Sequence, residues 1–249
     1  MTSLKAFLSE NDLSIPALCS EIFERHQDTI SVKRRHVAVA KLARIISAVL
    51  SISNERGFRA MSLRDLAKEA NLSMGALYAY FDSKETLLMM ILREVHAVVL
   101  RVLQVPPELA DDPVQRLRWL IRTHVYLTEA MHSWFIFSFM EVRAFDEQAR
   151  KFILDSEVVS ESLFFDALDE GKRKGVFEID NVQITSALIK PMLQDWYIKR
   201  WKHRRRKITP EGYADFLTSF IEAAILSKRR SYDPAVRPNA DGVPIPPPC

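Results

Sequence analysis

The stretch of sequence from residue 62 to residue 85 reads SLRDLAKEANLSMGALYAYFDSKE. It contains two short helical patterns, one after Ser62 and one after Ser73, separated by Asn71. Ser62 and Asp65 fit a capping box, and Ser73 is a favourable N-cap for the second helix. Two short helices joined by so tight a turn form a candidate helix-turn-helix motif.

The second of these helices has an uneven distribution of side chains. One face is apolar and carries Met74, Leu77 and Phe81. Another face is nearly free of side chains and consists of Gly75, Ala76 and Ala79. Three polar groups flank it: Tyr78, Tyr80 and Lys84. A smooth face lets a helix approach a nucleic-acid groove closely, and hydroxyl and ammonium groups reach phosphates. The alternative is a buried helical hairpin, which would not need these flanking polar groups.

The distribution of charge supports a surface that binds polyanions. The chain of 249 residues has a net charge of only +3, but the segment from Lys33 to Arg101 holds 12 Lys and Arg against 6 Asp and Glu. A basic segment on a nearly neutral chain indicates nucleic-acid binding, with a merely solvated face as the alternative. The run from Lys33 to His36 is expected to add affinity as a flexible arm.

The remaining chain follows the 3.6-residue period of helices and predicts an all-α fold. Residues 1–36 form an N-terminal extension with one helical face near Ile15, and a first long helix is expected over 38–56. Further helices are expected over 83–104, 113–130, 132–145, 147–174, 180–206 and 210–229. Residues 231–249 are rich in proline and are expected to be disordered.

Several classes of protein are excluded by what the sequence lacks. Cys19 and Cys249 suggest neither a disulfide framework nor a zinc site, which suits a reducing cytoplasm. No signal peptide, membrane-spanning run or common enzyme motif is recognisable. We therefore expect a cytoplasmic protein that is not an enzyme, with no catalytic residue, cofactor, metal site or membrane partner.

Residues 62–67 and 72–85 resemble the DNA-binding signature of the TetR family of bacterial repressors (TetR/AcrR-like), and the resemblance extends over about residues 39–92. It implies a three-helix DNA-binding domain over 37–82. It also implies a larger helical ligand-binding and dimerisation domain over 83–230, dimerised largely through the last two helices. The implied protein is a homodimer that binds a palindromic operator in double-stranded DNA and is released by a ligand.

The resemblance also assigns residues to the DNA interface by position. Arg64 would reach a base edge or a phosphate, and Met74, Gly75 and Ala76 would face the major groove, with Ser73 at the start of the same helix. Ser62, Tyr78, Tyr80 and Lys84 would hold phosphates. The chain departs from the family at Ala79 and Tyr80, where a histidine is common, and in its longer N-terminal extension.

The second domain is rich in aromatic residues, which enclose an apolar cavity in some helical proteins and simply fill the core in others. The candidate ligand-binding residues are Trp119, Tyr126, Trp134, Phe139 and Trp196. An apolar effector is expected, with an acyl chain or acyl-coenzyme A as the leading candidate. The basic run from Lys199 to Lys207 could bind an anionic group or could be the solvated end of a helix.

Two other functions are compatible with the sequence. One is an all-helical protein-interaction module without DNA binding, and the other is a DNA-binding regulator with no small-molecule effector. The sequence does not distinguish repression from activation.

Overall fold

The helices account for nearly all regular structure in the computed structural model, which describes residues 3–226. Within that range there are twelve α-helices, two short 3-10 turns (Pro107–Leu109 and Val142–Ala144) and a single isolated bridge between Phe177 and Leu226. The helices are α1 (Leu4–Glu10), α2 (Ile15–Arg25), α3 (Arg35–Arg56), α4 (Leu63–Glu69), α5 (Met74–Tyr78), α6 (Lys84–Val102), α7 (Pro113–Ala130), α8 (His132–Met140), α9 (Glu147–Arg173), α10 (Val182–Ile198), α11 (Arg200–Arg205) and α12 (Pro210–Ile225). The all-α prediction is confirmed, and the tail predicted over 231–249 lies outside the described residues.

Helices α3, α4 and α5 form the helix-turn-helix unit, and local capping fixes where the two short helices begin. The Ser62 hydroxyl accepts a hydrogen bond from the Asp65 amide at 3.1 Å, and Asp65 Oδ2 accepts one from the Ser62 amide at 3.1 Å. Ser73 Oγ accepts from the Ala76 amide at 3.1 Å. Asn71 has a positive φ of 51°, a conformation that asparagine tolerates better than most residues, and it turns the chain between α4 and α5.

Helix α3 is long and apolar enough to cross a membrane by length and composition alone. Half of its most apolar stretch is buried inside the protein, and the helix packs against α2, α4 and α8. Its fully buried residues include Leu42, Ile45 and Ile46. These contacts identify α3 as the core helix of the helix-turn-helix unit, since its apolar side chains are already covered by protein.

The N-terminal extension is folded, and the flexible arm predicted for residues 33–36 is wrong. Helix α3 already begins at Arg35, whose guanidinium pairs with Glu24 of α2 at 2.9 Å. Helix α2 lies along α3 and buries Leu18, Cys19 and Ile22 completely. The basic run is thus held at a helix start by an ion pair with the preceding helix.

The extension contacts both domains. The Ser31 amide donates a hydrogen bond to the Ala79 carbonyl at 2.9 Å, just after α5. Arg25 pairs with Glu94 of α6, whose side chain is fully buried. Helix α1 packs on α7, and the Leu4 amide donates to Glu211 Oε1 at the start of α12 at 2.9 Å. The extension therefore connects the end of α5 to the second domain.

The second domain is a bundle of α6 to α12 in which α7, α9, α10 and α12 pack on one another. The single helix predicted over 180–206 is wrong, because the chain breaks at Lys199 into α10 and α11. The helix predicted over 132–145 ends at Met140. Gly171 is required where α9 meets the following turn, because an added Cβ would lie 2.0 Å from the Phe177 ring.

Candidate nucleic-acid interface and ligand cavity

The face of α5 that lacks side chains is open to solvent. Gly75 is exposed, and a Cβ added there would meet no atom within 4 Å. Tyr78 is 51% exposed, and Arg64 on the neighbouring helix is also exposed. Ser62 and Ser73 are exposed, but their hydroxyls cap α4 and α5. The structure therefore brings these predicted contact residues to the surface of the two short helices.

Other predicted contact residues lie deeper. Met74 and Ala76 are partly buried, and Met74 packs against the core. Tyr80 is fully buried, its hydroxyl has no hydrogen-bond partner, and burial raises its pKa. A phosphate contact for Tyr80 is therefore wrong. The sequence carried the signal, because Tyr80 follows the buried Leu77 by three residues and so lies on the same helical face.

Lys84, at the start of α6, is bound to the loop that follows α3. Its Nζ donates to the carbonyls of Arg59 at 3.2 Å and Met61 at 2.8 Å, and it lies 4.5 Å from the centre of the Phe58 ring. Burial lowers its pKa. Because an ammonium has three donors, one is left for a phosphate, and this contact stays a prediction.

A cavity of about 160 Å³ lies in the second domain, at the meeting point of five helices. Val95 and Val99 of α6, Phe135 and Phe139 of α8, and Ile153 of α9 form its apolar walls. Helices α7 and α10 supply polar residues. Phe139 is 40% exposed and lies where the cavity opens to the surface.

The polar side of the cavity contains a buried lysine. Lys190 is 4% exposed and donates to Ser160 Oγ at 2.8 Å. Its Nζ lies 3.6 Å from Glu157 Oε1, which also accepts a hydrogen bond from Gln194 at 2.7 Å. Burial lowers the pKa of Lys190, and the two carboxylates of Glu157 and Glu161 act in the opposite direction. The ammonium is thus only partly compensated by hydrogen bonds.

His124 of α7 borders the same cavity. It is 4% exposed, its ring lies near those of Phe135 and Phe164, and its Nδ1 has no hydrogen-bond partner. Burial, aided by the nearby Lys190, holds its pKa well below the usual value, so the imidazole is neutral at pH 7.

The cavity wall also contacts the DNA-binding unit. Ser138 and Phe139 of α8 border the cavity, and Glu141 at the end of that helix accepts a hydrogen bond from the Phe58 amide at 2.9 Å. The Phe58 ring packs edge-on against Phe137 at 5.5 Å. Phe58 is also the ring over which Lys84 lies. One helix therefore has the cavity on one side and the loop after α3 at its end.

Two family models match this chain. Residues 45–89 match the model of bacterial regulatory proteins of the tetR family, and residues 110–225 match that of a tetracyclin repressor-like C-terminal domain. The chain belongs to the TetR family. It is therefore a DNA-binding transcriptional repressor and not an enzyme. TetR-family regulators bind DNA operators and act as dimers.

Individual TetR-family proteins are similar to this chain over most of its length. The regulator HbdR of Aromatoleum sp. (strain CIB) is 21% identical over 199 residues, covering 80% of this chain and 84% of HbdR. The repressor KstR2 of Mycobacterium tuberculosis is 27% identical over 149 residues, covering 59% of this chain and 74% of KstR2. The solved structure of KstR2 has a TM-score of 0.65 at 20% identity and covers 80% of this chain and 99% of KstR2.

A further solved structure shares the fold. FadR from Bacillus subtilis, in complex with stearoyl-CoA, has a TM-score of 0.56 at 18% identity and covers 72% of this chain and 96% of FadR. At this level of identity the similarity concerns the fold alone.

The aromatic residues predicted to bind the ligand are mostly elsewhere in this TetR-family domain. Phe139 lines the cavity. Tyr126 is buried 5.9 Å from Phe7 of the extension, and Trp134 is a buried core residue. Trp196 donates to Glu129 at 3.1 Å, and Trp119 borders two surface clefts. Composition alone could not tell cavity-lining rings from core rings.

The basic run from Lys199 to Lys207 is divided into two parts. In the first part, Lys202 and His203 contact Asp195 Oδ2 at 2.6 and 2.9 Å, and Arg200 pairs with Glu129. The last four residues, 204–207, are exposed. The paired half is neutralised within the protein, and the exposed half is compatible with both predictions, a solvated helix end and a site for an anionic group.

Proposed function

We propose that this TetR-family protein is a cytoplasmic homodimer that represses transcription from a palindromic operator and leaves it when a ligand enters the cavity. The observation that carries this proposal is the path of α6. This helix starts at Ser83 and Lys84 beside the DNA-binding unit, and its other half supplies Val95 and Val99 to the cavity wall. A ligand that moves α6 therefore moves the part of the protein that touches DNA.

The spacing of the two α5 helices in a dimer converts this movement into a change of affinity. Both helices must enter major grooves about 34 Å apart on the same side of the duplex. A ligand shifts the protein only if it binds the released state more tightly than the DNA-bound state. A coupling of about 1–3 kcal/mol is typical, and operator DNA must weaken ligand binding by the same factor.

Helix α8 offers a second connection between the cavity and the DNA-binding unit. A ligand against Ser138 and Phe139 would act on Glu141, which holds the Phe58 amide, and on Phe137, which packs on the Phe58 ring. Since Lys84 lies over that ring, both helices meet at Phe58. We propose that this phenylalanine transmits part of the signal.

The dimer interface is proposed on α10 and α12, which pack against each other. Each presents two large apolar side chains to solvent, one helical turn apart. On α12, Phe216 is 72% exposed and Phe220 is 57% exposed, and on α10 Ile184 and Leu188 are 57% and 59% exposed. Large exposed apolar side chains on neighbouring helices suit an interface with a second copy.

The DNA contacts are proposed from the exposed faces of α4 and α5. Gly75 and Ala76 allow the helix to approach the major groove, and Met74 borders the same face. Arg64 reaches a base edge or a phosphate, and Tyr78 holds a phosphate. Ser73 and Lys84 are proposed to contact phosphates with the donor capacity that their bonds within the protein leave free. Ser62 could hold a phosphate only by giving up the hydrogen bond that its hydroxyl donates to Asp65 Oδ2 at 2.6 Å.

The effector is proposed to be small and apolar. A cavity of about 160 Å³ is of the size that holds one benzene-sized molecule. The stearoyl-CoA in FadR belongs to that protein. For this chain, an acyl chain or acyl-coenzyme A would fit only with a short acyl group inside and the rest outside the cavity mouth at Phe139.

The test uses an operator duplex selected from random-sequence DNA. Sedimentation should find a dimer on a two-fold symmetric site, and fluorescence anisotropy should find weaker binding once a cavity ligand is added. Calorimetry should show that operator DNA weakens ligand binding by the same factor by which the ligand weakens operator binding. Equal ligand affinities in the two titrations would contradict the release mechanism, and a monomer on one half-site would contradict the dimer.

Two pairs of variants sharpen this test. Phe216→Lys should disrupt the dimer, whereas Leu8→Lys, at a 45% exposed site on α1, should not. Glu141→Gln should reduce the coupling while leaving ligand affinity of the free protein unchanged. The exposed Glu147→Gln, at the start of α9, is its control.

A further inference from the structure

Two hydroxyls in the cavity wall have no hydrogen-bond partner among residues 3–226, that of Ser138 and that of Tyr197, and the second lies in the aromatic part of the wall. Tyr197 of α10 borders the cavity and is 4% exposed. Its ring packs near Phe135 at 5.6 Å and Phe139 at 6.1 Å, while within residues 3–226 no group hydrogen-bonds to its hydroxyl. Burial raises the pKa of Tyr197 far above the neutral range, so the hydroxyl keeps its proton and can donate it to a hydrogen bond.

The charges near this hydroxyl disfavour a negatively charged ligand. Glu157 of α9 and Lys190 of α10 line the cavity, the Glu157 carboxylate acts on Tyr197, and the ammonium of Lys190 already interacts with the carboxylates of Glu157 and Glu161. His124 of α7 adds no charge at pH 7 because burial lowers its pKa. Two carboxylates face one ammonium, so a third carboxylate brought by a ligand would be buried without a cation of its own, which is costly.

The dimensions and walls of the cavity limit the rest of the ligand. Its apolar walls come from three helices and include Val95, Val99, Phe135 and Ile153. Their side chains offer no hydrogen bond, so the part of the ligand that they surround must be hydrocarbon. At about 160 Å³ the space is filled by one six-membered ring.

We propose that the cavity binds an uncharged, largely apolar molecule of about one ring, whose single oxygen accepts a hydrogen bond from Tyr197. This inference rests on the proposed function in one respect: the molecule that occupies this cavity is taken to be the effector. The chemical class is that of simple phenols, cyclic alcohols and aryl ketones.

Three probes that share the methylphenyl ring test this class by calorimetry on the full chain. Toluene has the ring alone, p-cresol adds a hydroxyl, and 4-methylbenzoate adds a carboxylate. We expect p-cresol to bind about tenfold more tightly than toluene, as one added hydrogen bond in a buried site allows. We also expect 4-methylbenzoate to bind more weakly than p-cresol. The opposite order for these two would overturn the charge argument.

A pair of tyrosine variants locates the hydrogen bond. Tyr197→Phe should remove most of the advantage of p-cresol over toluene and leave toluene binding within about twofold. Tyr126→Phe is the matched control, because the Tyr126 hydroxyl likewise has no hydrogen-bond partner but lies outside the cavity. If the advantage of p-cresol survived in Tyr197→Phe, the role of Tyr197 would be wrong.

Failure of this inference and failure of the proposed function give different results. Tight binding of p-cresol with unchanged operator affinity would uphold the ligand class and contradict the release mechanism. No binding by any of the three probes would overturn the ligand class. Operator release by a chemically different compound would still support a ligand-released repressor.

Discussion

The DNA-binding unit and the cavity region treat their buried polar groups differently. In α3 to α5 the serines at the helix starts cap backbone amides, and Ser53 and Tyr80 are the unpartnered buried groups found there. The second domain, which contains the cavity, buries a lysine and a histidine and leaves several buried polar atoms without partners. These atoms include His124 Nδ1 and Ser138 Oγ in the cavity wall, and Thr123 Oγ1 and Tyr126 Oη elsewhere in the domain.

This difference follows the tasks of the two regions. The DNA-binding unit must keep one geometry to fit the major groove, and its helix caps and close-packed core provide this rigidity. A cavity that accepts a ligand needs polar groups whose hydrogen bonds are not already made within the protein. Removing a polar side chain should therefore lower stability in the DNA-binding unit, where its hydrogen bonds are made within the protein. In the cavity wall it should have little effect on stability.

The largest effect is expected at the smooth face of α5. Gly75→Val should reduce operator affinity by about a hundredfold or more, because bulk on this face keeps the helix out of the groove. The fold should remain, since no atom lies within 4 Å of the added Cβ. Anisotropy and circular dichroism check both statements. Ser162→Val, on an exposed site of α9, is the control, and normal operator binding by Gly75→Val would show that the face is misassigned.

Breaking the buried ion pair between the extension and α6 should have the next largest effect. Arg25→Met leaves the fully buried Glu94 without its cation and should lower the free energy of unfolding by about 3–5 kcal/mol at pH 7. Arg35→Met removes an exposed pair with Glu24 and should cost less than about 1 kcal/mol. Chemical denaturation measures both, and similar losses would contradict this role of Glu94.

The same variant should depend on pH in a defined direction. Burial raises the pKa of Glu94 above 4.5, and Arg25 opposes that rise. Because the folded pKa exceeds the unfolded one, the folded state binds the proton more tightly, and stability falls as pH rises through this interval. Arg25→Met should raise the pKa of Glu94 in the folded state further above its unfolded value. The loss of stability caused by this substitution should therefore become smaller as the pH is lowered towards 4.5. A deficit that grew on acidification would contradict this assignment.

Removing one hydroxyl from each region should change stability in opposite directions. Ser73→Ala deletes the cap of α5 and should cost about 1 kcal/mol. Ser138→Ala deletes a buried hydroxyl that has no partner and should leave stability unchanged or raise it by up to about 1 kcal/mol. Thermal denaturation of both variants decides the matter, and a clear loss in Ser138→Ala would show that this hydroxyl does have a partner.

The smallest effect separates two tyrosines of the helix-turn-helix unit. Tyr78→Phe should weaken operator binding by about threefold to tenfold, the loss of one phosphate hydrogen bond per half-site. Tyr80→Phe should leave operator binding unchanged, since its hydroxyl is already buried. Anisotropy at one salt concentration compares them. An equal loss of operator affinity in the two variants would mean that the Tyr80 hydroxyl becomes exposed when the protein binds DNA.

What could be predicted from the sequence depended on how local the cause was. The starts of α4 and α5 were predictable because Ser62 and Ser73 act within three residues of themselves. A helix near Ile15 was also predictable. The way the N-terminal extension packs on the rest of the protein was not, because contacts such as the hydrogen bond between Ser31 and Ala79 join distant parts of the chain. The place of His124 beside Lys190 was not predictable either, since the two residues are distant in sequence.

The ligand-binding residues show the same limit. Aromatic composition indicated a domain that could hold an apolar molecule. Of the five residues proposed from it, only Phe139 lines the cavity in the structure. Lys190 and Tyr197 have no local sequence signal that distinguishes them from neighbours on α10. Their role follows from which helices meet there, and that is set by tertiary packing alone.

The contact between Leu4 and Glu211 has a consequence for how the protein is synthesised. These residues are 207 positions apart, so helix α1 leaves the ribosome long before its binding site on α12 exists. Helices α3 to α5 can fold early because their contacts are close in sequence. Helix α1 can pack on α7 earlier, but the hydrogen bond between Leu4 and Glu211 can form only after α12 has been made.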